Sequence, residues 1–208
     1  MVCIVILGRQ GSGKGTQSTL IERKYGCLHV STGDMLRSAV SARSELGMKA
    51  EALMRSGRLI SDEIAIGIVA ERLQHEDAIN ATGVLLDGFP RNLEQAEALE
   101  ALLAAEGGSI TLAVNLEVPV EVAVERLLAR GRSDDTEESI ARRLEDYEIQ
   151  TMPLLQWFEQ RNLLFSVDGL GVVEDVFYRV SSVIDSVLDV ACQQASPTSK
   201  QTKRQSRC

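Results

Sequence analysis

Apolar residues arrive along this chain in two rhythms. Five short runs are apolar almost throughout: Val2 to Leu7, Cys27 to Val30, Gly83 to Leu86 just ahead of Asp87, Ile110 to Leu116, and Leu163 to Val167. Short runs without alternation are what strands buried on both faces look like. Between them apolar positions return every three or four residues, which predicts helices over about 14–25, 34–54 with a break near Ser44, from about 62, 92–105, 120–130, 136–160 with an interruption at Pro153, and 172–190. Strands alternating with helices predict an α/β fold, a five-stranded parallel sheet with helices on both faces. Residues 31–60 do not fit that alternation and read as a small helical insertion. The pattern ends after residue 194: the closing PTSKQTKRQSRC has four basic residues, no acid and no large apolar group, so residues 195–208 are expected to be a disordered basic tail, solvated rather than an electrostatic anchor. The terminal Cys208 does not fit a prenylation signal.

Length and composition bound this picture without changing it. With 208 residues, 44% of them hydrophobic, the chain suits one well-filled core, taken here as a single domain over 1–194. Val2 to Leu7 is too short for a signal h-region and has no basic segment before it, and no run approaches a membrane span. The expectation is a cytoplasmic, monomeric protein with no membrane or nucleic-acid partner. Cys3, Cys27, Cys192 and Cys208 show no C-x-x-C spacing, so free thiols are expected and structural zinc is not. Charge does change the picture. The formal net charge is −8, yet the 22 basic residues comprise 17 arginines and 5 lysines. Arginine's planar fork grips phosphate oxygens in pairs, so this bias suggests a concave phosphate site in an acidic exterior, although composition alone favours ordinary solvated surface charge. Position along the chain has to decide.

Position decides for phosphate. The first apolar run stops in a segment with four glycines between Gly8 and Gly15, and Gly8 through Gly13 and Lys14 fit G-x-x-x-x-G-K. In that loop glycines let backbone N–H groups turn inward around phosphate oxygens, the lysine reaches the β/γ pair, and the following helix adds its N-terminal dipole. The residue after the lysine is Gly15 and the hydroxyl comes at Thr16, which leaves the direct magnesium ligand open. Three further segments stand out: STGDMLR from Ser31 to Arg37, DGFPRNLEQ from Asp87 to Gln95, and Arg126 to Arg143 with five arginines. Each alone has a plain explanation, as a helix cap, a turn and a solvated helix face. Beside a phosphate loop their coincidence points to one site.

In this order and spacing, GRQGSGKGTQ, STGDMLR, GRLISDE, LLDGFPRNLEQ and the arginine pairs flanking Ser133-Asp134-Asp135 resemble the adenylate kinase family of nucleoside monophosphate kinases, in its short-lid form. The resemblance covers Val2 to about Val187 and implies reversible phosphoryl transfer from MgATP to AMP, giving two ADP. It implies that residues 31–60 close over AMP and that a lid at about 127–136 closes over ATP. Carried over, Gly11, Ser12, Gly13, Lys14, Gly15 and Thr16 would hold ATP phosphates, with Arg126 and Arg130 also facing ATP and Gly171 touching its base. Arg37 and Arg91 would grip the AMP phosphate, Thr32 and Gln95 its base, and the stretches Arg58, Leu59, Ile60 and Gly88, Phe89, Pro90 would complete the AMP side. Arg132 and Arg143 would bridge toward the transferring phosphoryl, making Lys14, Arg91, Arg126, Arg132 and Arg143 the catalytic set. Asp87 would organise the waters of Mg²⁺, with Thr16 the open alternative.

The chain departs from the family pattern at Gln10 and Ser61, where proline is usual, and in its lid. Only GRSDDT separates Arg130 from the next helix, with no cysteine or histidine to hold zinc, so this lid is expected to exclude water less completely. The chemistry needs no catalytic histidine, because the AMP phosphate is already ionised at neutral pH and phosphoryl transfer depends on positioning and charge. His29 is expected to pack within its strand and His75 to lie at the surface. Two other readings stay open at this point. A kinase for UMP or CMP is one, against which Thr32 and Gln95 favour adenine. A nucleotide-gated regulatory protein is the other, and it leaves two arginine sets unexplained.

Overall fold

Five strands pair in parallel in the order β2-β3-β1-β4-β5: β1 (Val2–Leu7), β2 (Leu28–Ser31), β3 (Gly83–Asp87), β4 (Leu112–Glu117) and β5 (Leu164–Asp168). The expected sheet is therefore present, with strand boundaries within two residues of the apolar runs. The computed structural model describes residues 2–56, 58 and 60–195, with backbone alone for Leu46, Arg55 and residues 190–195. Leu59 and, beyond Ala195, the expected tail lie outside the described residues. Of the cysteines, Cys3 and Cys27 are buried free thiols. Cys208 and the side chain of Cys192 are again outside the described residues.

Why the central strands must be apolar throughout follows from the two cores. Alternate side chains of β1 point to opposite faces. Cys3, Val5 and Leu7 join one cluster with α4 (Asp62–Leu73), α6 (Leu93–Ala105) and α9 (Met152–Gln160), through residues such as Val69, Leu99 and Phe158. Ile4 and Ile6 join the other, with Ile21 of α1 (Lys14–Tyr25) and Val180 and Ile184 of α10 (Val173–Ala195). A polar residue in the middle of β1 would be buried on either side.

Ten α-helices lie among the described residues. The insertion holds α2 (Thr32–Ser41) and α3 (Glu45–Arg55), and Ser44 supplies the break by capping α3 through its side chain, 3.0 Å from the Gly47 N–H. A short α5 (Glu76–Ile79) after α4 was not legible in the pattern, since one turn is too short to show a period. Past α7 (Val120–Arg130) and α8 (Glu137–Asp146), the long helical stretch is broken upstream of the expected place. Tyr147–Thr151 forms a π-helical turn, closed by the Met152 N–H on the Tyr147 carbonyl, and Pro153 sits in the first turn of α9. Proline has no N–H and its ring collides with the carbonyl four residues back, so the misfit is absorbed by widening the preceding turn. The last helix also runs to Ala195, past the expected end at 190.

Candidate active site

The register brings the carboxyl ends of the strands to one edge. Ile6 pairs with Asp87 and Ser31 also pairs with Asp87, while Leu7 pairs with Asn115. Ligands of open parallel sheets bind at this edge. A cleft of about 670 Å³ opens there, walled by the loop after β1, the start of α2, the turn after β3, and the α7–α8 region.

Local chemistry explains the loop. Gly11 has φ +83°, and a Cβ there would strike the Ala123 carbonyl, so only glycine lets the loop pass this close to α7. Helix α1 starts at Gly13 without any side-chain cap, which leaves its first N–H groups turned toward the cleft as an anion seat. Lys14 folds back over the loop, Nζ donating to the carbonyls of Gly8 at 2.6 Å and Arg9 at 2.9 Å. Burial lowers its pKa to about 8; Asp87 opposes that shift, and Arg91 and Arg130 reinforce it.

Most of the residues singled out in the sequence meet on the cleft wall. Gly11, Gly13, Lys14, Gly15 and Thr16 of the loop face Thr32, Arg37, Arg58, Ile60, Asp87, Gly88, Arg91 and Gln95, with Arg126, Arg130, Arg132 and Arg143 closing the far side. Others are not on that wall. Ser12 is buried with its Oγ unpartnered, Phe89 is in the core at 1% exposed, and Pro90 lines a smaller cavity of about 70 Å³ beside the same loop. Gly171, at φ +110°, stands apart before α10, beside Arg179.

The wall carries eight cations, Lys14 and seven arginines, against three carboxylates, Asp34, Asp87 and Asp134, in a protein whose net charge is −8. Five of the seven arginines are individually held by their side chains. Arg91 Nε donates to the Gly88 carbonyl at 2.8 Å, Arg37 pairs with Asp34, and Arg126 reaches the Gly169 carbonyl at 3.3 Å. Arg130 grips Asp135 in bidentate fashion at 2.9 and 2.8 Å. Burial lowers the pKa of Arg91, as do Arg143 and Arg37; burial also lowers that of Arg132, with Arg37 and Arg130 adding to it. Cations that depress one another in this way make a field suited to polyanions.

Several contributors were not legible in the sequence. Asp135 has a fully buried carboxylate that accepts from Arg130, Arg143 and the Arg132 N–H, so the short loop of residues 131–136 is pinned from within, and residues 127–130 are simply the last turn of α7. An acidic pair between arginine pairs was the available signal. Asp62 accepts from Gln95 Nε2 at 2.6 Å and Asn92 Nδ2 at 2.9 Å, while Gln95 Oε1 receives the Arg91 N–H at 2.8 Å. Gln95 thus keeps one N–H and one lone pair free of the protein. His29 is not simply packed as expected: it lines the cleft with Nε2 3.6 Å from Asp87 Oδ2, too far to bond. Burial would lower its pKa, but Asp87, and more weakly Glu22 and Asp34, carry the net shift upward. His75 is exposed at the start of α5, as expected.

Comparison with known proteins bears on this geometry. A family model described as adenylate kinase matches residues 6–163. An adenylate kinase of Synechococcus sp. is 50% identical over 179 residues, covering 86% of this chain and 96% of its own. One from Xylella fastidiosa is 44% identical over 182 residues, with the same coverage of 86% and 96%. A third, from Porphyromonas gingivalis, is 38% identical over 195 residues, covering 92% of this chain and 100% of its own. With the phosphate loop, the parallel sheet and the arginine-lined cleft already in place, these matches show that the chain belongs to the adenylate kinase family.

Proposed function

We infer that the chain transfers the γ-phosphoryl group of ATP reversibly to AMP, giving two ADP. An oxygen of the ionised AMP phosphate attacks the γ-phosphorus, the bond from that phosphorus to the β,γ-bridging oxygen breaks, and the electron pair leaves with ADP. No proton has to be moved, so the task is alignment and charge. The observation that carries this reading is the eight-cation cleft around the phosphate loop in an otherwise acidic protein.

On this reading the amides of Gly11 to Thr16 and the third, unspent proton of Lys14 hold ATP phosphates, with Arg126 and Arg130 beside them. Arg37 and Arg91 hold the AMP phosphate. Thr32, whose hydroxyl already donates to the Gly88 carbonyl at 3.0 Å, and Gln95, with its spare N–H and lone pair, face the adenine. Gly88, Phe89 and Pro90, with Arg58, Leu59 and Ile60, complete that side through backbone, and Gly171 offers backbone to the ATP base. Arg132 and Arg143 face the transferring phosphoryl, where positive charge stabilises its equatorial oxygens. Residues 31–60 and 127–136 are the pieces that close.

Asp87 and Thr16 suit Mg²⁺ arriving with ATP. They offer hard oxygens on the cleft wall, and no group of three His, Cys, Asp or Glu that could hold a metal occurs among the described residues, so the ion would keep its waters and the nucleotide's phosphates as ligands. Bound there it would neutralise charge between the β- and γ-phosphates. The eight cations gather inside the cleft, which supports nucleotides rather than nucleic acid as partners, and a monomer is the proposed state. No helix among the described residues is long and apolar enough to cross a membrane. The cytoplasm, with its pools of adenine nucleotides, is the proposed location.

The test is product analysis. With ATP, Mg²⁺ and AMP the protein should form two ADP for each ATP consumed, and UMP or CMP should serve poorly. Release of inorganic phosphate independent of AMP would overturn the reading.

A further inference from the structure

Arg143 is the most heavily restrained cation of the cleft, at 8% exposed. Its Nη2 donates to Asp134 Oδ2 at 2.6 Å and to the Met54 carbonyl at 3.2 Å, and its Nη1 to Asp135 Oδ1 at 3.3 Å. Those partners belong to the α7–α8 loop and to the end of α3. The fourth bond differs from all three in origin and from the two carboxylate bonds in charge: Nη1 also donates to Gln10 Oε1 at 2.9 Å, across 133 residues of chain, and Gln10 is part of the phosphate loop itself. The preceding residue is anchored to the same region, since Arg9 pairs with Glu148 and lies 5.1 Å over the Tyr147 ring. Two adjacent loop residues thus grip the segment that begins at Arg143 and runs into the π-helical turn.

We propose that Gln10 is a positioning residue for phosphoryl transfer, its carboxamide oxygen aiming the Arg143 guanidinium from the phosphate loop. The physical case rests on charge as well as distance. Asp134 and Asp135 hold Arg143 but also offset its positive charge, whereas a neutral amide orients the guanidinium and leaves that charge available to developing negative charge on the phosphoryl oxygens. The bond from Gln10 also ties the arginine's position to the loop that seats the donor phosphates, so the two stay in register when α3 or the α7–α8 loop shifts. Gln10 itself lines the cleft, beside Gly11 and Lys14. This inference rests on the adenylate kinase reading above.

The test uses Gln10→Met, close to glutamine in size but without an acceptor, in the full chain with and without Arg143→Ala. Gln10→Met should lower kcat about tenfold, the scale of one hydrogen bond to a charged group, with KM for ATP and for AMP each within about twofold of the parent. In the Arg143→Ala background the same substitution should change kcat by less than about twofold, because nothing is left to aim. Gln10→Glu should also be slower than the parent, since its charge offsets the arginine it holds. Equal losses from Gln10→Met in both backgrounds would assign Gln10 to loop shape and overturn the proposal, as would a Gln10→Met enzyme with parental kcat, or an Arg143→Ala enzyme with parental kcat. If the unsubstituted protein made no ADP from ATP and AMP, the adenylate kinase reading itself would fall, an outcome distinct from these.

Discussion

Lys14 carries the clearest single-residue consequence. With a pKa held at about 8 by burial, part of the population is neutral in mildly alkaline solution when the cleft holds no phosphate. A bound polyphosphate favours the ammonium and raises that pKa. The sign follows: below pH 8 the lysine is charged before and after binding, and above it the free protein must take up a proton to bind. Calorimetry of ATP binding in buffers of different ionisation enthalpy should therefore detect proton uptake at about pH 9 and little at pH 7, where phosphate esters, with pKa about 6, are already ionised. ATP affinity should fall by up to about tenfold per unit as pH rises past the free value. Lys14→Arg, which stays charged, should remove both effects, and equal uptake in parent and variant would assign the proton elsewhere.

Among the elements, the α7–α8 loop is the one whose behaviour the structure redefines. A short loop without zinc invites the expectation of a loose cover, but Asp135 gathers Arg130, Arg143 and the Arg132 N–H on a side chain with no exposure. Burial alone would raise the Asp135 pKa; the Arg130 bonds and charge, with Arg132 and Arg143, outweigh it, and the net shift is downward. A carboxylate with depressed folded pKa adds stability that is present above its unfolded value, near 3.9, and is lost as pH falls through the folded one. Asp135→Ala takes the carboxylate from Arg130 and one of two from Arg143, and should cost about 3 kcal/mol, the lower end for such pairs because Arg130 is 35% exposed and Arg143 keeps Asp134. Thermal or denaturant unfolding measures this at pH 7, and the difference from the parent should shrink as the pH is taken below 4. A loss under about 1 kcal/mol would mean that the cluster is a surface pair. Helix α8 reaches further still, with Arg142 Nη1 donating to the Ser56 carbonyl at 2.6 Å, so the insertion and the α7–α8 region meet through arginines on helix-end carbonyls.

At the scale of the molecule, charge is segregated: net −8 overall, with five more cations than carboxylates on one wall. Nucleotides should be drawn to that wall by a field that salt screens, so raising KCl from about 20 to about 200 mM at fixed free Mg²⁺ should lower kcat/KM for both substrates by about threefold or more. Unchanged values would show that the cleft works through contacts alone. What the chain order of residues determined by itself is local or periodic. Unbroken apolar runs pointed to strands covered on both faces, Gly8 to Lys14 to a sharp turn between strand and helix, and the five arginines from Arg126 to Arg143 to two neighbouring helices and the short loop between them. Those constraints involve neighbours in sequence, and most of the site list met in the cleft because strand ends of a parallel sheet share an edge. What the sequence could not settle depends on distances across the fold. No pattern marks Gln10 as the partner of Arg143, 133 residues away, or brings His29 within 3.6 Å of Asp87. Nor could periodicity show that Pro153 would displace its irregularity onto the preceding turn, or that Phe89 would turn into the core while Gly88 and Arg91 line the cleft. Side-chain pairing of this kind is a property of packing, decided only when the sheet order and helix positions bring remote residues to the same place.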